Sequence, residues 1–386
     1  MHLITTLDTG GAEMQLAKVV DQTDHSGLSH CIVSLIDAGL VGKLIRSKGI
    51  PVHSLGMKKG IPSLSAVRKI RELIAIEQPQ ILQTWLYHAD LLGLIVGKMA
   101  GVPSLVWNVR CSHVEMQHYP KLSRLVLTVL SLLSVVPDAV IVNSEAGRAA
   151  HARIGYRPKR FEVIPNGIEV DRFRPDISAR EWLRRELRLS GESVIIGLVA
   201  RNDPMKDHEM FLAAARQVCE KHSQAYFILC GNGVDKNNAK LNRLIDGLTE
   251  QIRLWGGRAD IERITAAFDI ACSSSAFGEG FSNAVGEAMA CGVPCVVTDV
   301  GDSALIVGST GRIVPPRNAN AFANALCQLI QCGAEVRNLL GAKARERIVE
   351  RYDSRAMAAR YEQFYLSLCA RPTGVGIFEE TRPSYR

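Results

Sequence analysis

Arg201 and Lys206 stand a few residues apart in the run Ala200-Arg201-Asn202-Asp203-Pro204-Met205-Lys206, directly after the apolar stretch Val194 to Val199. Two such cations at the end of a strand would hold phosphate oxygens through charge-assisted hydrogen bonds. Either one alone could equally be a solvated loop charge. A second chemical segment, FGEGFSNAVGEAMACGVP, runs from Phe277 to Pro294. Gly278 and Gly280 permit a tight loop, and Ser282 or Asn283 is expected to cap a helix carrying Val285, Glu287, Ala288 and Met289. The first amides of that helix and the positive end of its dipole suit a diphosphate. Glu279 lies just before the helix and Glu287 inside it, placed to accept hydrogen bonds from sugar hydroxyls on either side of such an anion. A capped helix with one exposed glutamate would give the same pattern.

Weaker signals surround these. Gly10-Gly11-Ala12-Glu13 follows the first apolar run like a phosphate-approach loop, but it lacks the third glycine of a dinucleotide fingerprint. Gly231-Asn232-Gly233 follows another apolar run and could be a simple turn. The ten cysteines include no Cys-x2-Cys pair, and Cys291-x3-Cys295 has no partner pair at zinc spacing. All but Cys111 sit in or beside apolar runs, as reduced core thiols do. No metal and no disulfide are expected.

The elements that must position these groups alternate along the chain. Short β-branched runs alternate with helix-period segments, the pattern of a parallel α/β sheet. Strands are predicted near Leu3–Thr6, Cys31–Leu35, Ile81–Trp85, Leu105–Val109, Ala139–Val142 and Phe161–Ile164. In the second half they fall near Val194–Val199, Tyr226–Cys230, Ile252–Trp255, Ile270–Ser273, Pro294–Thr298 and Gly311–Val314. Turn chemistry at Pro165-Asn166-Gly167 separates the halves. The reading is two α/β domains, 1–165 and 166–353, with a ligand cleft between them at the carboxyl ends of the strands. A final helix, about 354–370, returns to the first domain, and 371–386 is expected to be a disordered tail. With 386 residues, 47% of them apolar, two ordinary cores can be buried. No apolar run approaches the ~18 residues of a membrane span, and the start lacks the pattern of a secretory signal, so a cytoplasmic protein is expected.

The net charge of +7 is uneven: residues 1–165 hold 18 Lys and Arg against 12 Asp and Glu. A basic first half suits an anionic partner, though an ordinary solvated surface fits as well. Nucleic acid is not expected, because aromatic and arginine clusters are missing. Lys58, Lys59, Arg68, Lys69 and Arg71 form the densest basic stretch. With the apolar helix Leu122 to Val136 it could dock peripherally on anionic membrane, although that helix suits a core element too.

Taken in order, Gly10-Gly11-Ala12-Glu13, Ile164-Pro165-Asn166-Gly167-Ile168, Arg201 with Lys206, Gly231-Asn232-Gly233, and Glu279-x7-Glu287 leading into Ala288 to Pro294 make a specific combination. On it, the chain resembles the retaining glycosyltransferases of family 4 over nearly its whole length. The resemblance implies the GT-B fold, two Rossmann-like domains with parallel sheets facing a central cleft, in an α/β protein. It implies that Arg201 and Lys206 clamp the diphosphate of a nucleotide-sugar, with backbone amides of Phe281, Ser282 and Asn283 completing the site and Gly11 approaching from the first domain. Glu287 would hold the ribose, Glu279 would face the donor sugar, and the loop around Arg258 would meet the base. Pro165-Asn166-Gly167 would be the hinge. No metal or cofactor is implied; the substrate is a UDP-sugar first, a GDP-sugar second, and the acceptor is lipid-linked or a growing polysaccharide.

One departure stands out. Many family members carry a histidine near the donor sugar where this chain has Arg110, which cannot act as a base but could hold phosphate or orient the acceptor. His113 could supply the imidazole, or be a surface histidine. On the acceptor side, His88 and Asp90 are candidate contacts, with Asp90 alternatively supporting the helix that follows it. The reading is therefore a metal-independent hexosyltransferase; a nucleotide-sugar epimerase of the same fold and a catalytically silent nucleotide-sugar-binding protein are the alternatives.

Overall fold

The computed structural model describes residues 1–8, 10–23, 27–58, 64–110 and 121–370. Cys111, His113, Lys59 and the segment 371–386 lie outside the described residues.

Two all-parallel sheets carry the molecule. The first contains β1 (His2–Ile4), β2 (Ile32–Ser34), β3 (Val52–Ser54), β4 (Ile81–Trp85), β5 (Ser104–Val109), β6 (Ala139–Val142) and β7 (Phe161–Val163), in the order β3-β2-β1-β4-β5-β6-β7. The second contains β8 (Val194–Val199), β9 (Ala225–Cys230), β10 (Ile252–Gly256), β11 (Ile270–Ser273), β12 (Cys295–Thr298) and β13 (Arg312–Val314), in the order β10-β9-β8-β11-β12-β13. Helices cover both faces of each, which is why the strands read as near-continuous apolar runs. Val194, Ile196 and Leu198 enter one core while Ile195 enters the other; Ala139 and Ile141 are likewise separated from Val140 and Val142. The edge strand β3, three residues long and half exposed, was not anticipated.

Strand order reverses between β1 and β4 in the first sheet and between β8 and β11 in the second. At such switch points the crossover helices diverge to opposite faces and leave a crevice at the carboxyl ends. Both crevices open onto the same interdomain cleft. The last helix, Ser354–Cys369, leaves the second domain and buries Met357, Tyr361, Phe364, Tyr365 and Leu368 in the core of the first. At the linker, the Gly167 carbonyl accepts from Lys18 Nζ (3.0 Å) and Gln15 Nε2 (3.2 Å), and the Gly167 N–H donates to Gln15 Oε1 (3.1 Å). No helix among the described residues is long and apolar enough to cross a membrane.

Candidate active site

The loop after β8 is built by two aspartates. Asp203 accepts from the Met205 N–H (2.9 Å) and so caps the short turn Pro204–Lys206, while it also takes both Arg201 Nε (3.1 Å) and Nη2 (2.9 Å). Burial works against its charge, but the amide and the guanidinium hold its pKa below the usual carboxylate value. Asp207, in the left-handed region at φ 47°, caps the next helix through the Met210 N–H (3.1 Å). The loop is tied to the one after β11, since Ser274 Oγ donates to the Lys206 carbonyl (2.6 Å) and the Ala276 N–H to that of Met205 (2.8 Å). Lys206 thereby reaches Glu279, with Nζ at 2.5 Å from a carboxylate oxygen that also accepts from Ser275 Oγ (2.9 Å).

The glycine-rich segment is held by contact across the domains. A Cβ on Gly280 would lie 2.8 Å from Asn143 Oδ1 of the first domain. Gly301, at φ 62°, passes so close behind this segment that a Cβ there would fall 2.0 Å from the Glu279 carbonyl. The helix that follows spans Asn283–Ala290, with Ser282 at its N-cap. Neither expected side chain caps it: Ser282 makes no capping bond, and Asn283 Oδ1 instead accepts from Asn166 Nδ2 (2.7 Å) across the linker. Its first residues, Ser282 to Ala284, line the cleft, so the end of the helix where first-turn amides lack intrahelical partners lies at the cleft wall.

From the first domain, Gly11 and Ala12 begin the helix Gly11–Thr23 on the opposite wall, and a Cβ on Gly11 would sit 3.5 Å from Asn283 Nδ2. Leu86 follows β4 as the N-cap of the next helix at φ 73° and ψ 150°, a conformation costly for a side chain of its kind, at the lip of the same cleft. Arg110 emerges from β5 with its guanidinium 5.3 Å from the Trp85 ring centroid. It donates to Asn166 Oδ1, to Asn108 Oδ1 (3.4 Å) and to the hydroxyl of Tyr361 (3.4 Å), which the returning C-terminal helix supplies. All three acceptors are neutral, and among the described residues no carboxylate lies within ion-pair distance of Arg110. Burial pulls its pKa down, opposed by Tyr361 and by Glu13 nearby, and a guanidinium still stays charged.

Together these groups line a cleft of about 820 Å³ that includes Gly11, Arg110, Asn143, Asn166, Arg201, Lys206, Glu279 and Phe281 to Asn283. Other predicted residues fall elsewhere. Glu287 sits one turn along the helix, half-buried, away from the cleft wall; burial raises its pKa against the pull of Lys18 and Arg172. Arg258 is exposed, paired with Asp260 (2.8 Å) and laid over Trp255, outside the cleft lining. The backbone around it does approach, because the Gly231 N–H donates to the Gly256 carbonyl (2.8 Å) and the Asn202 N–H to that of Asn232 (2.8 Å). His88 is exposed and does not line the cleft. Asp90 cannot meet an acceptor, because it is fully buried beneath Thr84, whose hydroxyl donates to it at 2.5 Å, and burial drives its pKa well above the usual value. The helix Lys121–Leu133 buries Leu127 and Leu130 but exposes Leu125 and Leu132, so it is both core element and apolar surface.

Sequence reasoning missed Asn143 and Asp302, and placed Asn166 in the hinge without foreseeing that it lines the cleft. Asp302 accepts from the Glu145 N–H (2.9 Å) and the Ala146 N–H (2.9 Å), at the start of a helix in the opposite domain. Ser144 ahead of Glu145 marked that helix start as a cap, but nothing local pointed to a partner so distant in the chain.

The family described as Glycosyltransferase Family 4 matches residues 9–172, and that described as Glycosyl transferases group 1 matches residues 193–332. The chain is 25% identical to the Escherichia coli UDP-Gal:alpha-D-GlcNAc-diphosphoundecaprenol alpha-1,3-galactosyltransferase over 319 residues, 79% of this chain and 81% of that protein. It is 24% identical to a Mycobacterium tuberculosis GDP-mannose-dependent alpha-(1-6)-phosphatidylinositol monomannoside mannosyltransferase, over 79% of this chain and 80% of the other. The crystal structure of Anabaena HepE in complex with UDP-glucose superposes with a TM-score of 0.81 at 23% identity, covering 95% of this chain and all (100%) of that one. That likeness carries the fold, and the architecture is GT-B.

Proposed function

The chain belongs to glycosyltransferase family 4, and from that premise we propose that it moves a hexose or N-acetylhexosamine from a UDP-sugar to a hydroxyl of a lipid-linked or polysaccharide acceptor, with retention of anomeric configuration. The carrying observation is the convergence of Arg201, Lys206 and the Asn283 helix start on one cleft wall, opposite Gly11 and Arg110. The donor diphosphate lies between them. As the bond from the anomeric carbon to the phosphate oxygen breaks, negative charge grows on the departing diphosphate, and these fixed positive groups stabilise it where it forms. No metal is needed for that neutralisation.

Among the described residues, the carboxylates lining the cleft are Asp203 and Glu279, and both are engaged by cations. That supports a same-face mechanism without a covalent glycosyl-enzyme. The acceptor oxygen bonds to the anomeric carbon on the face the diphosphate leaves, and its proton passes to a departing phosphate oxygen. Glu279, with its charge balanced by Lys206, orients the donor sugar. Glu287 binds the ribose, and the loop around Arg258 meets the uracil through backbone atoms. Arg110, a cation whose hydrogen-bond partners among the described residues are all neutral, positions an anion of donor or acceptor. UDP is favoured by the complexes of HepE, and a lipid-linked diphosphate acceptor by the E. coli relative.

The acceptor's lipid would meet the protein at the first domain. Leu64, Ile76, Ile95, Met99, Leu125 and Leu132 are exposed on three neighbouring helices, beside the exposed Lys58, Lys69 and Arg71. Arg68, of the same basic stretch, is paired with Glu72 (2.8 Å). We read this side as a peripheral contact with anionic membrane at the inner, cytoplasmic face. The test is UDP release from a panel of UDP-sugars with and without a polyprenyl-diphosphate-linked sugar. Acceptor-dependent release from one donor supports the reading; binding without turnover across the panel removes it.

A further inference from the structure

Outside the cleft, the first sheet gathers a second set of chemistry-bearing side chains. The parallel register pairs Val33 of β2 with His53 of β3. Side chains alternate along a strand, so Cys31, two residues before Val33, points to the same face as His53. The helix Leu64–Glu77 packs over that face and ends by delivering Glu77 there. Ligand atoms of Cys31, His53 and Glu77 all lie within 4.8 Å of one another. Cys31 is buried, His53 half-buried and Glu77 exposed, so the group spans the wall between core and solvent. The His53 Nε2 is buried with no hydrogen-bond partner among the described residues, a costly state for a polar atom. Cys31 and Glu77 also line a cavity of about 540 Å³ that gives a small ion a way in.

We propose that Cys31, His53 and Glu77 form a divalent metal site for Zn²⁺, with water as the remaining ligand. A thiolate and an imidazole select a borderline-soft ion over Mg²⁺ or Ca²⁺, and S, N and O donors within one contraction of tetrahedral spacing are what Zn²⁺ takes. On binding, the Cys31 thiol releases its proton to solvent; thiolate and carboxylate then balance the two positive charges. The ion ties the edge strand β3 and the end of a helix to β2, a structural clip remote from the donor cleft. Sequence spacing concealed it, because the ligands stand as Cys31-x21-His53-x23-Glu77.

Co²⁺ titration of the metal-free full chain provides the test. One equivalent should bind with a thiolate-to-cobalt charge-transfer band and visible bands of tetrahedral intensity, and Zn²⁺ should displace it. Cys31→Ser should abolish the charge-transfer band. Glu77→Gln, at an exposed helix end where folding is not at stake, should weaken Co²⁺ affinity at least tenfold and leave sugar transfer unchanged. Absence of the band at one equivalent in the wild type overturns the proposal, as does a band that survives Cys31→Ser at full intensity and so belongs to another thiol.

Discussion

Lys206 and Glu279 are each largely withdrawn from water, with side-chain exposures of 16% and 8%, so removing either leaves the other charged where hydration is poor. Lys206→Ala should therefore cost about 3–4 kcal/mol of transition-state stabilisation, a loss of about 10²–10³-fold in kcat/KM for UDP release. Arg201 pairs with Asp203 at 60% side-chain exposure and faces more solvent screening. Arg201→Ala should lose about tenfold in the same assay. Glu287→Ala should raise the Kd for UDP about tenfold while leaving kcat near normal, since the ribose contact proposed for it would be the same in ground and transition states. Away from the cleft, His151 is fully buried, its Nδ1–H donating to the Gly147 carbonyl (2.7 Å) and its Nε2 accepting from the Tyr87 hydroxyl (2.8 Å). Burial lowers its pKa to about 4, so between pH 6.5 and 4 the unfolded chain binds a proton that the native state refuses. Stability from this group is complete above that window and is lost as pH falls through it, by up to about 3 kcal/mol. Denaturant melts of His151→Gln should show a flatter decline over the same range. Glu13, Glu287 and Asp90, whose pKa values burial raises, act in the opposite sense, so the variant comparison isolates His151.

At the scale of elements, the two domains are latched by Asp302, whose carboxylate caps the helix Glu145–Arg153 of the other domain and opposes the positive end of its dipole. Asp302→Asn replaces one acceptor by an amide that faces an N–H, at a cost of about 1.5–3 kcal/mol. The expected result is a more open average shape in small-angle scattering and a lower kcat, with UDP affinity changed little. That latch was illegible in the sequence, since its partners are brought together only by the tertiary fold. Of the thirteen strands among the described residues, twelve were legible, because each keeps a run of mostly apolar or β-branched residues, even where Gln83, Thr84 or Asn108 is buried within it. The exception, β3, reads Val-His-Ser and has a single apolar residue, whereas the equally short edge strands β7 and β13 each keep two. Of the candidate site, the segment Phe277 to Pro294 and the Arg201 loop, which line one cleft, stood out in the sequence by residue type and spacing. Which side chain caps a helix was not legible: Asn283 turns to Asn166, and Asp90 turns inward to Thr84, according to neighbours that local sequence does not name.

For the whole molecule, the helix Ser354–Cys369 joins what the linker separates, since its Tyr361 hydroxyl accepts from Asn108 (3.0 Å) and from Arg110 (3.4 Å) in the first domain. The apolar side of that domain, with Leu125 at 60% and Leu132 at 73% exposure, should bind phosphatidylglycerol-rich vesicles in cosedimentation and release them at high salt. Replacing both leucines with glutamate should abolish that binding without altering turnover on a water-soluble acceptor analogue. The account rests on a nucleoside diphosphate seated between the β8 loop and the Asn283 helix start. Calorimetric titration of UDP into the wild type and the Arg201→Ala/Lys206→Ala double variant tests this most directly. Micromolar binding that weakens at least a hundredfold in the folded double variant is the predicted result; equal affinity in both proteins would contradict the account.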